Sequence, residues 1–196
     1  MTAEPGAEPG SLDDLLELLV TRGSITYGGE PVSVAEHALQ AAHLAEDDGA
    51  PPPLVTAALL HDIGWLLGGA GGHEKRGSRV LAAVFGPAVA EPVRLHVAAK
   101  RYRCTVEPGY GARLSVASTR TLGVQGGLMD DEEIAAFEAE PRAADALALR
   151  GYDDRAKEPG AATPDLAHFA ATARACVEHR AAGTHRTVPD SPPPPN

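Results

Sequence analysis

Residues 54–67 read LVTAALLHDIGWLL, a stretch apolar on nearly every side of a helix. A helix of that kind is stable only at the centre of a fold, with other elements packed around it. Two polar side chains interrupt it, His61 and Asp62. The chain is 43% hydrophobic but only 4% aromatic. Its core therefore has to be assembled from Ala, Leu and Val, which favour closely approaching helices. No alternating apolar pattern is long enough for a strand, and no internal repeat is present. The sequence predicts an all-α bundle, and 196 residues suit a single domain.

The remaining helices follow from their end signals. Ser11 can cap a helix with apolar positions Leu12, Leu15, Leu16 and Leu19, running to about Thr21. Ser33 with Glu36 forms a capping-box pattern that starts a second helix, ending before Asp48-Gly49. Further helices are expected at 73–85, 87–101 and 112–119, then a Gly-rich loop GVQGG. Two more near 130–150 lead to Asp153, and a last one opened by Pro164 runs to about His179. The folded domain spans 11–180. Residues 1–10 and 181–196 are Glu/Pro/Gly-rich or Pro-rich and are expected to be disordered, since they cannot bury enough apolar area to offset ordering entropy.

The formal net charge of -10, with no dense Lys/Arg cluster, disfavours nucleic acid and anionic lipid as partners. Apolar runs fall short of the roughly 20 residues of a spanning helix. The opening MTAEPGAEPG has neither the basic start nor the apolar stretch of a signal peptide, so the expectation is a cytoplasmic protein. Cys104 and Cys176 stand far apart and are expected to be reduced. No exposed apolar stripe stands out to set an oligomeric state.

An ionised Asp inside an apolar helix costs several kcal/mol unless a cation or donors compensate it. A metal ion would do so at Asp62, and further ligand types occur at His37, His73, His96 and Asp153, on separate predicted segments. Imidazole with carboxylate suits zinc, iron, manganese and nickel alike. Four histidines and two aspartates exceed one tetrahedral ion, and a carboxylate can bridge two, so two metals are expected. The plain alternative is that His61 bonds a neighbouring helix while Asp62 caps or meets an arginine.

The order His37, His61-Asp62, His73, His96, Asp153 resembles the HD-domain superfamily from about residue 12 to 180. Several motifs narrow the resemblance to its dinuclear-iron oxygenases of phosphonate catabolism: Tyr27-Gly28-Gly29-Glu30 ahead of Glu36-His37-Ala38-Leu39-Gln40, Lys100-Arg101-Tyr102, Leu114-Ser115-Val116-Ala117-Ser118, Leu122 to Gly127, and Asp153-Asp154-Arg155-Ala156-Lys157. Within that branch it is most similar to the glycine-forming dioxygenases of 2-amino-1-hydroxyethylphosphonate. The resemblance implies a mixed-valent Fe(II)/Fe(III) pair. One iron would take His37, His61, Asp62 and Asp153, with Asp153 preferred to Asp154; the other would share Asp62 and take His73 and His96. It further implies dioxygen and an organophosphonate as the small-molecule partners, no organic cofactor, and hydrogen removal from the hydroxyl-bearing carbon.

Roles outside the metal ligands also come from the resemblance. Lys100, four residues after His96 and on the same helical face, would hold the phosphonate, with Ser118 and Gln125 as further contacts. Tyr27 and Glu30 resemble a lid pair. The tyrosine would occupy an iron position in the resting enzyme, and the glutamate would meet the substrate's amino group, which favours a primary amine. The bland readings are a solvated lysine, ordinary turn residues, and a loop tyrosine packed over the first helix. Trp65 stands where many relatives carry a polar residue, leaving the pocket's finer shape open, and His43, His168, His179 and His185 match no motif. A metal-dependent phosphohydrolase would need His61 and Asp62 but neither Tyr27 nor Glu30. A metal-stabilised binding module without turnover is the non-enzymatic alternative.

Overall fold

Close helix contact, which a core poor in aromatic rings demands, is what the computed structural model shows. It describes residues 8–69 and 71–184; the expectations for residues 1–7 and 185–196, His185 among them, lie outside the described residues. The described elements are helical, apart from an isolated bridge between Thr26 and Ser33. Helix α1 (Leu12–Arg22) starts at a reciprocal capping box of Ser11 and Asp14, and α2 (Val34–Asp47) at one of Ser33 and Glu36. Each box satisfies two backbone donors that the first turn leaves orphaned.

Helix α3 (Pro52–Leu60) is buried from Leu54 through Leu60 and touches α2, α6 (Pro87–Val106), α9 (Ala143–Arg155) and α10 (Leu166–Thr184). Ala41, Ala42, Ala57 and Ala58 are fully buried, so α2 and α3 carry their smallest side chains where the core is tightest. The main core joins α1 to α6, α9 and α10; a smaller cluster of Leu95, Ala99, Met129, Phe137 and Ala146 seats α8 (Asp131–Glu138) against α6 and α9.

The stretch expected as one helix over 54–67 is two. The chain turns at His61 and Asp62 (φ −101°, ψ 12° at Asp62) before α4 (Ile63–Gly68) begins. The turn lays α4 against α5 (His73–Phe85) at very short range: a Cβ on Gly64 would lie 2.0 Å from the His73 carbonyl oxygen and 2.6 Å from the Gly77 nitrogen. Four other boundaries move. Helix α6, expected to end at 101, runs to Val106. Ser115 caps α7 (Val116–Val124), so the helix expected at 112–119 starts later and runs into the supposed Gly-rich loop. Helix α9 continues through Asp153, and α10 runs past His179 to Thr184, into the segment assigned to the tail. Among the described residues no single helix is long and apolar enough to cross a membrane.

Candidate metal centre

Four elements aim imidazoles at one point. His37 comes from α2, His61 from the end of α3, His73 from the first position of α5 and His96 from the middle of α6; all four are buried. Backbone carbonyls fix three of the rings. His37 Nδ1 donates to Ala156 O at 2.7 Å, His61 Nδ1 to Ala58 O at 2.8 Å, and His96 Nδ1 to Val93 O at 2.6 Å. With the proton on Nδ1, each neutral ring turns a bare Nε2 lone pair inward.

The consequence is geometric. His37 Nε2 and His61 Nε2 lie 3.1 Å apart, and His73 Nε2 and His96 Nε2 lie 3.0 Å apart. In the first pair both nitrogens are acceptors, so the contact is not a hydrogen bond and calls for a cation between them. Asp62 lies between the two pairs. Its Oδ2 faces His61 at 3.4 Å and His37 at 3.8 Å, while Oδ1 faces His73 at 3.1 Å and His96 at 3.9 Å. Two ligand sets result, His37, His61 with Asp62 and His73, His96 with Asp62, the ligand atoms of each within 4.8 Å of one another. Among the described residues neither Asp62 oxygen has a hydrogen-bond partner, nor does Asp153 Oδ1, which lies 3.5 Å from His37 Nε2. A buried carboxylate without donors is costly, so the donor set fits metal ions.

Electrostatics agree. Burial, and then the neighbouring imidazoles, lower His96 to about 3; burial and His61 lower His37 to about 4. Both rings are neutral at pH 7 and available as ligands. Burial alone would raise Asp153, but the Arg150 guanidinium at 2.6 Å and Lys157 outweigh it and hold the carboxyl far below the usual carboxylate range. Asp154 is turned away, accepting from Tyr110 at 2.5 Å and from Arg150, which separates it from its neighbour Asp153.

Beside the histidines lies a cavity of about 280 Å³, lined among others by Tyr27, Glu30, Trp65, Lys100, Ser118 and Gln125. The sequence-derived site residues therefore converge. Lys100 is 2% exposed, and its ammonium donates to Thr121 Oγ1 at 2.9 Å and Ser118 O at 3.3 Å, with no carboxylate partner among the described residues. Burial and the nearby Arg150 pull it down to about 8. Tyr27 stacks on His37 with ring centroids 4.0 Å apart and sets its edge toward Trp65. Burial and then the carboxylates of Asp153 and Asp62 hold its phenol protonated, well above the usual tyrosine range. Among the described residues the buried Gln125 Oε1 has no hydrogen-bond partner. A larger groove, of about 740 Å³, lies past Tyr110 and Asp154 and holds none of the histidines.

Sequence reasoning missed Arg150, and it quoted Lys157 within a motif without giving it a role. Both are signalled by spacing, three residues before and four after Asp153, which puts them on its side of α9 and the following turn. His168 pairs with Glu46 at the surface, His43 lies near Asp47, His179 is exposed, and Cys104 and Cys176 are free thiols.

No protein-family model matches the chain. Among characterised proteins it is 45% identical over 183 residues to a hydroxymethylphosphonate dioxygenase of Gimesia maris, covering 87% of this chain and 90% of that one. It is 42% identical over 167 residues to a [1-hydroxy-2-(trimethylamino)ethyl]phosphonate dioxygenase (glycine-betaine-forming) of Leisingera caerulea, covering 80% and 85%. An uncharacterized protein of Acanthamoeba polyphaga mimivirus is 35% identical over 159 residues, 75% of this chain and 73% of its own.

Proposed function

The chain belongs to the phosphonate dioxygenases and is an oxygenase, and from that premise we propose that it cleaves the carbon–phosphorus bond of a 1-hydroxyalkylphosphonate with dioxygen, on two iron ions held in an HD-domain helical bundle. Both named relatives act on phosphonates hydroxylated at the carbon next to phosphorus, and that shared feature is what is carried to this chain. The observation that supports it most is Asp62, one oxygen toward each pair of imidazoles, beside a cavity whose buried Lys100 has no carboxylate partner among the described residues. The reaction balances without a further reductant: R–CH(OH)–PO3H2 and O2 give R–COOH and H3PO4, the carbon being oxidised as dioxygen is reduced.

One ion would be held by His37, His61, Asp62 and Asp153, the other by Asp62, His73 and His96. When bound, an iron pair supplies dioxygen activation and a seat for the substrate's hydroxyl and one phosphonate oxygen. The chain's own side chains do the rest. Lys100 meets the phosphonate as a point charge, and Thr121, whose Oγ1 accepts its hydrogen bond at 2.9 Å, aims it. Ser118, and Gln125 after a half-turn of its amide, offer donors to the other phosphonate oxygens. Arg150 holds Asp153 at 2.6 Å, which keeps that ligand ionised and oriented. Tyr27 closes the cavity over His37, limiting water at the reacting carbon. The finer reading, a 2-amino substrate that yields glycine, requires a Glu30 carboxylate free to meet an ammonium group.

The test is oxygen uptake coupled to phosphate release from hydroxymethylphosphonate, with metal content measured on the same preparation. Equal amounts of oxygen consumed and phosphate released, with about two irons per chain, are expected. Anaerobic hydrolysis of a nucleotide monophosphate without oxygen uptake would overturn the proposal in favour of a phosphohydrolase.

A further inference from the structure

Pro108 and Gly109 turn the chain sharply as it leaves α6. Gly109 sits at φ +76°, and Tyr110 N donates to Glu107 O at 3.1 Å, closing the four-residue turn that a Pro-Gly centre favours. The turn puts Tyr110 under Arg103, whose guanidinium carbon lies 4.3 Å from the ring centroid. Glu107 holds that arginine in place with hydrogen bonds of 2.8 and 3.0 Å. Tyr110 is 3% exposed, and its hydroxyl donates to Asp154 Oδ2 at 2.5 Å. It lines the larger groove and not the cavity beside the histidines.

Asp154 passes that constraint to Arg150. Its Oδ1 accepts from Arg150 Nε at 3.0 Å and from Nη2 in a shorter contact, so one edge of the planar guanidinium is fixed. The remaining nitrogen, Nη1, is thereby aimed at Asp153 Oδ2, 2.6 Å away. Lys157, another cation near Asp153, lies 3.7 Å from it and divides itself between Glu30 at 3.5 Å and Ser118 Oγ at 3.2 Å. The orientation of Asp153 therefore falls to Arg150, and that of Arg150 to Asp154.

Burial raises the Tyr110 phenol above the usual tyrosine range, so its hydroxyl stays a donor. Without that hydroxyl, Asp154 Oδ2 would keep, among the described residues, Arg103 Nη1 at 3.7 Å, beyond hydrogen-bond reach. The carboxylate would then be free to turn and carry the guanidinium with it. Asp153 reaches one imidazole pair only: it lies 3.5 Å from His37 Nε2 and 3.9 Å from His61 Nε2. We infer that Tyr110 is a positioning residue for the ion at His37, His61, Asp62 and Asp153, acting through Asp154 and Arg150, and that the ion at His73 and His96 does not depend on it. The inference rests on the proposed two-ion centre and states what sets its halves apart.

The metal-free full chain is titrated with Fe(II) under anaerobic conditions against a competing chelator. The unmodified protein should take up two ions. Tyr110→Phe, which keeps the ring under Arg103 and removes only the hydroxyl, should weaken one ion about tenfold or more and leave the other within about threefold. Asp154→Asn breaks the same link at its other end and should give the same selective loss, which keeps the test intact should Tyr110→Phe fold poorly. Tyr102→Phe, which removes a hydroxyl bonded at 2.7 Å to Glu138, is the control and should leave both ions unchanged. Equal weakening of both ions in Tyr110→Phe, as a general loosening of the fold would give, overturns the positioning role, and so does unchanged binding of both. An unmodified protein that binds fewer than two ions overturns the two-ion reading itself.

Discussion

Two buried charges with opposite shortages define this protein at the residue scale. Among the described residues neither Asp62 oxygen has a hydrogen-bond partner and Lys100 has no carboxylate partner, and each shortage fits the proposed occupant, metal in the first case and phosphonate in the second. Lys100 also sets a pH limit. Burial lowers it to about 8, so it is an ammonium below that pH and a neutral amine above. Phosphonate binding should therefore weaken as pH rises through 8, with KM climbing roughly tenfold per pH unit beyond it. Lys100→Arg, charged throughout, should flatten that limb. A KM independent of pH between 7 and 10 in the unmodified protein would show that another group carries the phosphonate.

At the scale of elements, the metal ligands depend on how closely α4 and α5 approach. Gly64 is the contact point, and no methyl group fits between it and the His73 carbonyl. Gly64→Ala must push the helices apart. It should lower unfolding free energy by about 3 kcal/mol or more, at the upper end of overpacking effects, and weaken the metal set that includes His73. Gly123 on α7 has nothing within 4 Å of an added Cβ, so Gly123→Ala should be neutral or stabilise by up to ~1 kcal/mol through helix propensity. Denaturant melts of the two variants beside the unmodified protein decide it; equal midpoints would refute the close-contact argument.

For the whole molecule, the candidate ligands come from α2, the α3–α4 junction, α5, α6 and α9, so a bound metal would tie together segments distant in sequence. Stripping it with a chelator removes binding energy that the unfolded chain does not share, on the order of 2.7 kcal/mol when free metal stood at 100 times its Kd. That should lower Tm by several degrees. Asp62→Asn should act chiefly on the loaded form. In metal-loaded protein it removes the shared ligand and lowers Tm, so the difference in Tm between loaded and stripped protein should shrink. Calorimetry with and without metal reads both. A Tm unchanged by the chelator would mean the cluster holds no structural metal.

What the sequence by itself determined is whatever depends on local pattern and on side-chain chemistry. The all-α class follows from helical periodicity and a core poor in rings, the first two helix starts from Ser11 and from Ser33 with Glu36, and the candidates His61 and Asp62 from their place in an apolar helix, the remaining ligands coming from the order of residues that carries the family resemblance. Only the tertiary structure decided the rest, because it depends on residues far apart in the chain. The break at His61 and Asp62 accompanies the close approach of Gly64 to the backbone of α5, a contact made across the fold. The division of Asp62 between two imidazole pairs needs four helices at once. The pairing of Glu30 with Lys157 joins residues separated by most of the chain, and no local pattern reports whether a carboxylate has already found its cation.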